Sequence, residues 1–263
     1  MMRKRLLILL LVAFCPLLSR AQDTTLVKAS KWINDYSMIG VNYGVTFSNM
    51  YFSPSMHNRA WVMAPNYISV MYTKHCKMFD TLPYFALTIG AAYGSEGFSF
   101  KENARTGYTQ SVDGVSWCSM KTFEIPAMAQ IHLDFYPGKL LANAGVYGGW
   151  RNSITRRGPS LPEAYENSFR EYENQIDYGF EGGVGFGLMF DPIEIHFNCL
   201  VRWSWSSMYE PDYKSYYYYN YAYPIDVMAT VGIYFQLTKR TGKTNRALRS
   251  EARSIVYGTN QDN

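Results

Sequence analysis

From Ile225 to Leu237 the odd positions read Ile225, Val227, Ala229, Val231, Ile233, Phe235 and Leu237, while the even ones read Asp226, Met228, Thr230, Gly232, Tyr234 and Gln236. A strict period of two separates one apolar face from one mixed face only if the chain is extended, because successive side chains of a strand point to opposite sides. A helix would scatter the same residues around its circumference. This alternation recurs along most of the chain, and after the first eighteen residues no window holds the roughly 18 consecutive apolar residues of a spanning helix.

Eight strands are expected on this basis, over 36–48, 66–74, 84–95, 117–135, 140–151, 177–190, 193–206 and 225–237. Most are longer than the usual globular strand of about 5 to 6 residues and reach the roughly 9 to 11 that cross a bilayer at a tilt. Their connections alternate in length. Tyr136-Pro137-Gly138-Lys139 and Asp191-Pro192 are tight and Lys74 to Pro83 is moderate, whereas 49–65, 96–116, 152–176 and 207–224 are long. Short turns at one end and long loops at the other describe an eight-stranded antiparallel up-and-down transmembrane β-barrel, with long loops outside the cell and both termini periplasmic.

The tight turns allow a test of register. With Asp191-Pro192 as a two-residue loop, Phe190 faces Ile193, Glu181 faces Arg202, and Gly187, Gly185, Gly183 and Gly179 face His196, Asn198, Leu200 and Ser204. With Pro137-Gly138 as the other loop, Glu124 faces Arg151 and His132 faces Asn143. Both hairpins then set an acid against an arginine on the polar face, a favourable cross-strand arrangement, and a slip by one residue would send every side chain to the wrong side. The interior of an eight-stranded barrel is just wide enough to be filled by side chains. Glu181, Arg202, Glu124 and Arg151, with Asp177, Glu194 and His196, are therefore expected to form structural ion pairs in a packed polar lumen.

Aromatics make up 17% of the chain, and they gather at strand ends. Trp150, Trp203, Trp205, Tyr178 and Phe180 lie toward the long-loop end, and Phe135, Tyr136, Phe190 and Phe235 toward the short-turn end. Two membrane-interface girdles are the expectation; aromatics filling a soluble core are the alternative.

The remaining segments read as address and extension. Met1–Arg5 is basic, Leu6–Leu18 is apolar, and Ser19-Arg20-Ala21 supplies small residues at a cleavage site, so 1–21 is expected to be a signal peptide. Residues 22–35 are then a periplasmic N-terminal segment, 36–237 the barrel, and 238–263 a basic periplasmic tail with Lys239, Arg240, Lys243, Arg246, Arg249 and Arg253. Four of the 25 Lys and Arg fall in the leader, leaving 21 against 21 Asp and Glu, a balance that argues against a nucleic-acid partner. Cys76, Cys118 and Cys199 are odd in number and lack metal-ligand spacing, so neither a disulfide framework nor a metal site is indicated.

Thr122-Phe123-Glu124-Ile125-Pro126, Ala144-Gly145-Val146-Tyr147-Gly148-Gly149 and Ile176 to Gly187, followed by the Ile193–Trp205 strand, resemble the PorT-like outer-membrane β-barrel proteins of Bacteroidetes. The resemblance extends over about 36–237 and implies an eight-stranded barrel in the outer membrane of a Gram-negative bacterium. Its founding member assists protein secretion, which makes an envelope or secretion-system protein a partner that the resemblance implies alongside outer-membrane lipid. Fold similarity does not by itself transfer that role.

No nucleotide loop, HExxH or G-x-S-x-G motif occurs, and no catalytic residue or cofactor is expected. Ser204, Ser206, Asp177 and Glu181 gather on one hairpin without a histidine; His132 and His196 point inward, and His57 and His75 fall in or beside connections. The Tyr-rich segment Tyr209–Tyr223, including Tyr216–Tyr219, is read as either a contact surface for glycan or protein or an extension of the interfacial belt. The mixed charges of Arg156, Arg157, Glu163, Glu166, Arg170, Glu171 and Glu173 fit a solvated loop. Three functions follow: a non-enzymatic barrel with a structural, secretion/assembly or surface-interaction role; a barrel enzyme acting on lipid or peptide; and a soluble secreted β-barrel with an apolar, ligand-binding interior.

Overall fold

A computed structural model of the chain describes residues 36–238 apart from Pro54, His57, 77–83, Tyr136, Ser160 and 211–220. The expected leader at 1–21, segment 22–35, the tail beyond Thr238, His57, Tyr136 and the Tyr216–Tyr219 run lie outside the described residues.

Eight long strands carry the architecture: β1 (Ser37–Ser53), β2 (Val62–Cys76), β3 (Tyr84–Phe100), β4 (Trp117–Phe135), β5 (Gly138–Arg157), β6 (Ile176–Phe190), β7 (Ile193–Ser204) and β8 (Tyr221–Gln236). Each pairs antiparallel with its neighbours in sequence, and β8 pairs with β1, so the sheet closes. A two-residue strand, Arg59–Ala60, adds to the upper edge of β3. Stepping across partners from Ser37 through Lys74, Leu87, Ala129, Ala144, Gly182, Val201 and Val227 returns to β1 at Phe47, ten residues on. That stagger, with a rise of about 3.3 Å per residue and strands about 4.8 Å apart, tilts the strands by about 40° from the barrel axis.

Closure leaves no unpaired edge, and the alternating side chains sort into an inner and an outer set. Val41, Ile89, Ile125, Val184, Phe197 and Val231 are exposed on the outside. Asn42, Glu124, Arg151, Glu181, His196 and Arg202 are buried inside. This overturns the apolar interior on which the ligand-binding reading rests. Glycines make room where the inner wall is crowded: a Cβ on Gly183 would sit 2.1 Å from the Cys199 carbonyl oxygen, and one on Gly145 would sit 2.2 Å from that of Ala127.

The β6–β7 register agrees with the expectation, with Phe190 opposite Ile193 and Glu181 opposite Arg202 across the cis Asp191-Pro192 turn. The β4–β5 register does not. Phe135 faces Gly138, so the loop is Tyr136-Pro137 rather than Pro137-Gly138; Glu124 faces Gly149, Arg151 faces Thr122, and His132 faces Leu141. The slip is by two residues, which keeps every side chain on its face and so escapes the face-matching test. In the new register Gln130 Nε2 donates to Asn143 Oδ1 at 2.9 Å. Gly149, lacking a side chain, leaves space beside Glu124. A bulge between Lys121 and Thr122 alters the register again above that point.

The strands also run four to six residues further into several long connections than alternation alone indicates. In these upper portions the polarity of the wall inverts. Met50, Phe52, Phe98, Phe100, Met120 and Ile154 face inward and pack with Val112, Val115, Met208 and Tyr209 into an apolar core across the long-loop end. The outward positions of β3–β5 there are mostly polar: Ser95, Ser99, Ser119, Lys121, Ser153, Thr155 and Arg157, together with Gly97 and Trp117.

The β4–β5 register can be checked by crosslinking. In a chain whose own cysteines are replaced by alanine, A129C with A144C should form an intramolecular disulfide on mild oxidation, and A129C with V146C should not. The reverse pattern would restore the Pro137-Gly138 turn.

Candidate functional site

The lumen is stacked in layers beneath the apolar cap. Nearest the cap is an ionic layer assembled from six strands: Glu96 on β3, Glu124 on β4, Arg151 on β5, Asp177 and Glu181 on β6, Arg202 and Ser204 on β7, and Asp226 on β8. All are buried. Arg151 pairs with Glu96 through Nε and with Asp177 at 2.9 Å, and its Nη1 donates to the Asn174 carbonyl at 3.0 Å. Arg202 pairs with Glu124 and, through Nε at 2.9 Å, with Asp226. Its Nη2 lies 3.6 Å from Glu96, which therefore bridges the two guanidinium groups. The Arg202 guanidinium also sits over the Tyr147 ring at 5.1 Å, and the Tyr147 hydroxyl donates to Asp177 at 3.0 Å. A guanidinium offers five donors in a rigid fork, so each arginine can join several carboxylates at once.

The structure thus brings Glu181, Arg202, Glu124 and Arg151 into one layer but redistributes their partners. Arg151 takes Glu96 and Asp177 instead of Glu124, because the two-residue slip carries it past Glu124 toward β3 and β6. Arg202 takes Glu124 and Asp226 rather than Glu181, its cross-strand neighbour. Both Glu181 carboxyl oxygens are buried without a hydrogen-bond partner among the described residues. Glu96 and Asp226 had no assigned role in the sequence reading. Glu96 lay in what looked like a loop, although its two-residue offset from Gly94 continues the inner face of β3.

A second polar layer fills the short-turn end. Lys139 Nζ donates to the Tyr36 hydroxyl and to Glu194, each at 2.6 Å, and the Tyr36 hydroxyl donates to Glu194 at 2.9 Å. His196 lies 3.0 Å from Glu194 and stacks on Tyr234. Tyr36 stacks on His75 with ring centroids 4.0 Å apart, His75 meets the edge of His132, and His132 lies 2.8 Å from Asp134. His75 is therefore an interior residue, not a connection residue. Lys139, expected in the turn, is the second residue of β5 and points inward in phase with Leu141 and Asn143.

Between the layers, Asn42, Ser69, Gln130, Asn143, Asn198 and Thr230 line a cavity of about 20 Å³, space for a water molecule and far below the few hundred Å³ of a small-molecule site. Among the described residues no cluster of three or more His, Cys, Asp or Glu is arranged to hold a metal ion.

Of the serines weighed for catalysis, Ser204 Oγ donates to Asp177 and Ser206 Oγ to the Ile176 carbonyl at 2.7 Å. His196 stands eight residues down the same strand, in the lower layer. Arg156, expected in the third long loop, stands at the upper end of β5 and pairs with Glu173 of that loop, and both are buried. That corrects the expectation of a uniformly solvated loop. Burial holds the Glu173 carboxyl above its ordinary range, against the opposing pull of the Arg170 backbone N–H and of Arg156. Outside it, Arg170 lies between the rings of Tyr165 and Tyr172 at 5.2 and 5.9 Å.

On the outer wall Trp150, Trp203, Trp205, Tyr178 and Phe180 are each about half exposed toward the long-loop end, as are Phe190 and Phe235 toward the other. Along β4, Phe123 and Phe135 are twelve residues apart; at the tilt above this separates the two aromatic rows by about 30 Å.

No protein-family model matches the chain, and no curated protein matches it. Solved structures to which it is similar include Neisserial surface protein A, at 10% identity over 76% of this chain and 96% of that one with a TM-score of 0.42. Ail, the attachment invasion locus protein of Yersinia pestis, solved with the heparin analogue sucrose octasulfate, gives 11% over 76% and 99% with 0.37. The N-terminal β-barrel domain of Pseudomonas aeruginosa OprF gives 10% over 78% and 99% with 0.32. These are small outer-membrane eight-stranded barrels, and at such values the similarity says nothing of role.

Substitutions in the ionic layer should divide sharply. Arg202→Met removes the group that touches both Glu124 and Asp226 and leaves them buried without it, an expected cost of about 3–5 kcal/mol. Glu181→Gln loses no hydrogen bond and replaces a charge by an amide, so stability should fall by no more than about 1 kcal/mol. Urea unfolding of protein refolded in lipid vesicles, followed by tryptophan fluorescence, measures both; equal losses would contradict the partner assignment.

Proposed function

We propose that this chain is an integral outer-membrane β-barrel of a Gram-negative bacterium with a non-enzymatic structural, assembly or surface-interaction role. The observation that carries the reading is the inversion of polarity along one continuous wall. Over about 30 Å the barrel is apolar outside and ionic inside; above the upper aromatic row an apolar core fills the interior and the outer wall of β3–β5 turns mostly polar, while that of β8, β1 and β2 stays aromatic. A sheet in a single solvent has no reason to change sides. A sheet that leaves hydrocarbon of about 30 Å thickness and enters water has one, because apolar side chains favour lipid below the boundary and a dry interior above it. The aromatic rows at the two limits fit the headgroup levels.

Further details of the proposal rest on the sequence. The basic and apolar leader favours export, and the resemblance of Ile176 to Gly187 and its neighbours to PorT-like barrels favours a Bacteroidetes envelope protein with lipid and an envelope or secretion-system protein as partners. A non-catalytic role is favoured by the engagement of Ser204 with Asp177 at a distance from the histidine layer. The filled lumen favours a role at the surface over transport.

The full-length protein should fractionate with outer membranes, resist carbonate extraction and require detergent for release. It should also migrate differently in gels with and without boiling. In planar bilayers it should show no steady ion conductance, since the apolar cap and both polar layers block the lumen. Release by carbonate alone would sink the membrane reading, and sustained conductance would sink the sealed-lumen part of it.

A further inference from the structure

Above the upper aromatic row the outer wall differs from one side of the barrel to the other. Around β8, β1 and β2 it stays aromatic, with Tyr223 paired to Tyr51 and with Trp61 and Met63 nearby. On β3–β5 it changes abruptly. Immediately above Phe123 on β4 comes Lys121, exposed and without an ion pair among the described residues, facing Ser95 on β3 and Ser153 on β5. Four residues further up, Trp117 faces Arg157, whose guanidinium lies over the indole ring at 5.2 Å and is also exposed. Thr155 and Ser119 pair between these two rows. No acidic side chain occupies an outward position on this stretch: Glu96, the acid within it, faces the lumen and is occupied by Arg151.

We infer that this wall of β3–β5 is a docking surface for the phosphorylated saccharide headgroup of an outer-leaflet glycolipid. The inference rests on the membrane reading above, which places the Tyr93–Phe123–Trp150 row at the interface. Lys121 then stands where headgroup phosphates begin, and a compact ammonium on a flexible stem suits a phosphate there. Arg157 is roughly 10 Å higher along the axis, beyond the reach of the phosphate of a simple phospholipid seated at the same row. A ligand meeting both cations must carry anionic groups at two heights. Between those heights the wall presents the Ser119 and Thr155 hydroxyls, which pair with sugar hydroxyls. The charge pattern is one-sided: two exposed cations and no outward acid.

The test uses the full-length protein in mild detergent and three lipid probes: a glycolipid with a phosphorylated core oligosaccharide, the same glycolipid after enzymatic dephosphorylation, and phosphatidylglycerol. Native mass spectrometry reads the lipid retained. The phosphorylated glycolipid should be held about tenfold or more tightly than either of the others. Lys121→Gln with Arg157→Gln should abolish that preference, and Lys121→Arg with Arg157→Lys should keep it. Arg59→Gln should also keep it, since that guanidinium is on the aromatic side and already bonded to the Met50 carbonyl at 2.7 Å. Equal retention of the dephosphorylated form, equal retention of phosphatidylglycerol, or an equal loss in Arg59→Gln overturns the inference. If the protein keeps its heat-modifiable mobility and bilayer insertion in those cases, the barrel reading stands and only the docking surface falls. Failure of the parent protein to insert overturns both.

Discussion

A guanidinium or carboxylate removed from water is tolerated only where an opposite charge and hydrogen bonds replace its hydration. Arg151 and Arg202 impose this condition on the whole chain. Their partners come from β3, β4, β6 and β8, so the ionic layer can form only when strands distant in sequence are closed into one cylinder. Glu96 touches both arginines and joins the two halves of the layer. Once these groups occupy the inside, the period of two sends the apolar residues outward, onto the face that the proposed membrane would cover. Interior polarity, exterior hydrophobicity and closure are thus three aspects of one constraint.

The same alternation that revealed the strands also concealed their true length. In β4 the inner row runs from His132, Gln130 and Glu124 to Thr122, then becomes Met120 and Cys118; the outer row changes from Phe123 to Lys121 and Ser119. The period persists while the chemistry of each face is exchanged. Looking for an apolar face of constant sense ends β1 near Ser48 and β3 near Ser95, although Met50, Phe52, Phe98 and Phe100 continue the pattern with reversed meaning. An alternation that keeps phase but swaps faces is therefore a sequence signal for the boundary between lipid and water. In this chain it was available in plain form at residues 118–123.

Register was legible to the extent that a turn defined it. The β6–β7 hairpin follows from Asp191-Pro192 because those two residues can only be the turn, and Gly179, Gly183, Gly185 and Gly187 then meet Ser204, Leu200, Asn198 and His196 in the crowded interior. The β4–β5 hairpin offers Tyr136-Pro137 and Pro137-Gly138 as turns of equal length, and the two choices differ by an even slip to which facing patterns are blind. What accompanies the observed choice is a cross-strand bond, Gln130 to Asn143, and a contact at a distance, Lys139 with Tyr36 and Glu194. Lys139 meets Tyr36 across more than a hundred residues of chain, and no local pattern encodes such a meeting. Which strands carried inward charge could be read from the chain; which acid served which base could not, because in a narrow cylinder Arg202 reaches across to Glu124 and Arg151 to Glu96 besides the acids of their adjoining strands, Asp226 and Asp177.

The filling of the lumen bears on where function can reside. From the cap to the short turns an apolar core, an ionic layer, an amide-lined cavity of about 20 Å³ and a histidine and lysine layer follow one another. Each of these is satisfied chiefly by partners within the barrel, so the interior consumes its own polar groups rather than offering them to a ligand. Among the exceptions are both Glu181 oxygens, the Tyr67 hydroxyl and both His75 ring nitrogens, all of them buried. The outer surface is different. Lys121, Arg157 and the aromatic wall of Tyr51 and Trp61 are held by strands and by the apolar cap, yet remain exposed. A cylinder braced from within by paired charges presents fixed side chains at its rim at little further entropic cost, and recognition by such a molecule belongs to the rim and the wall rather than to the bore.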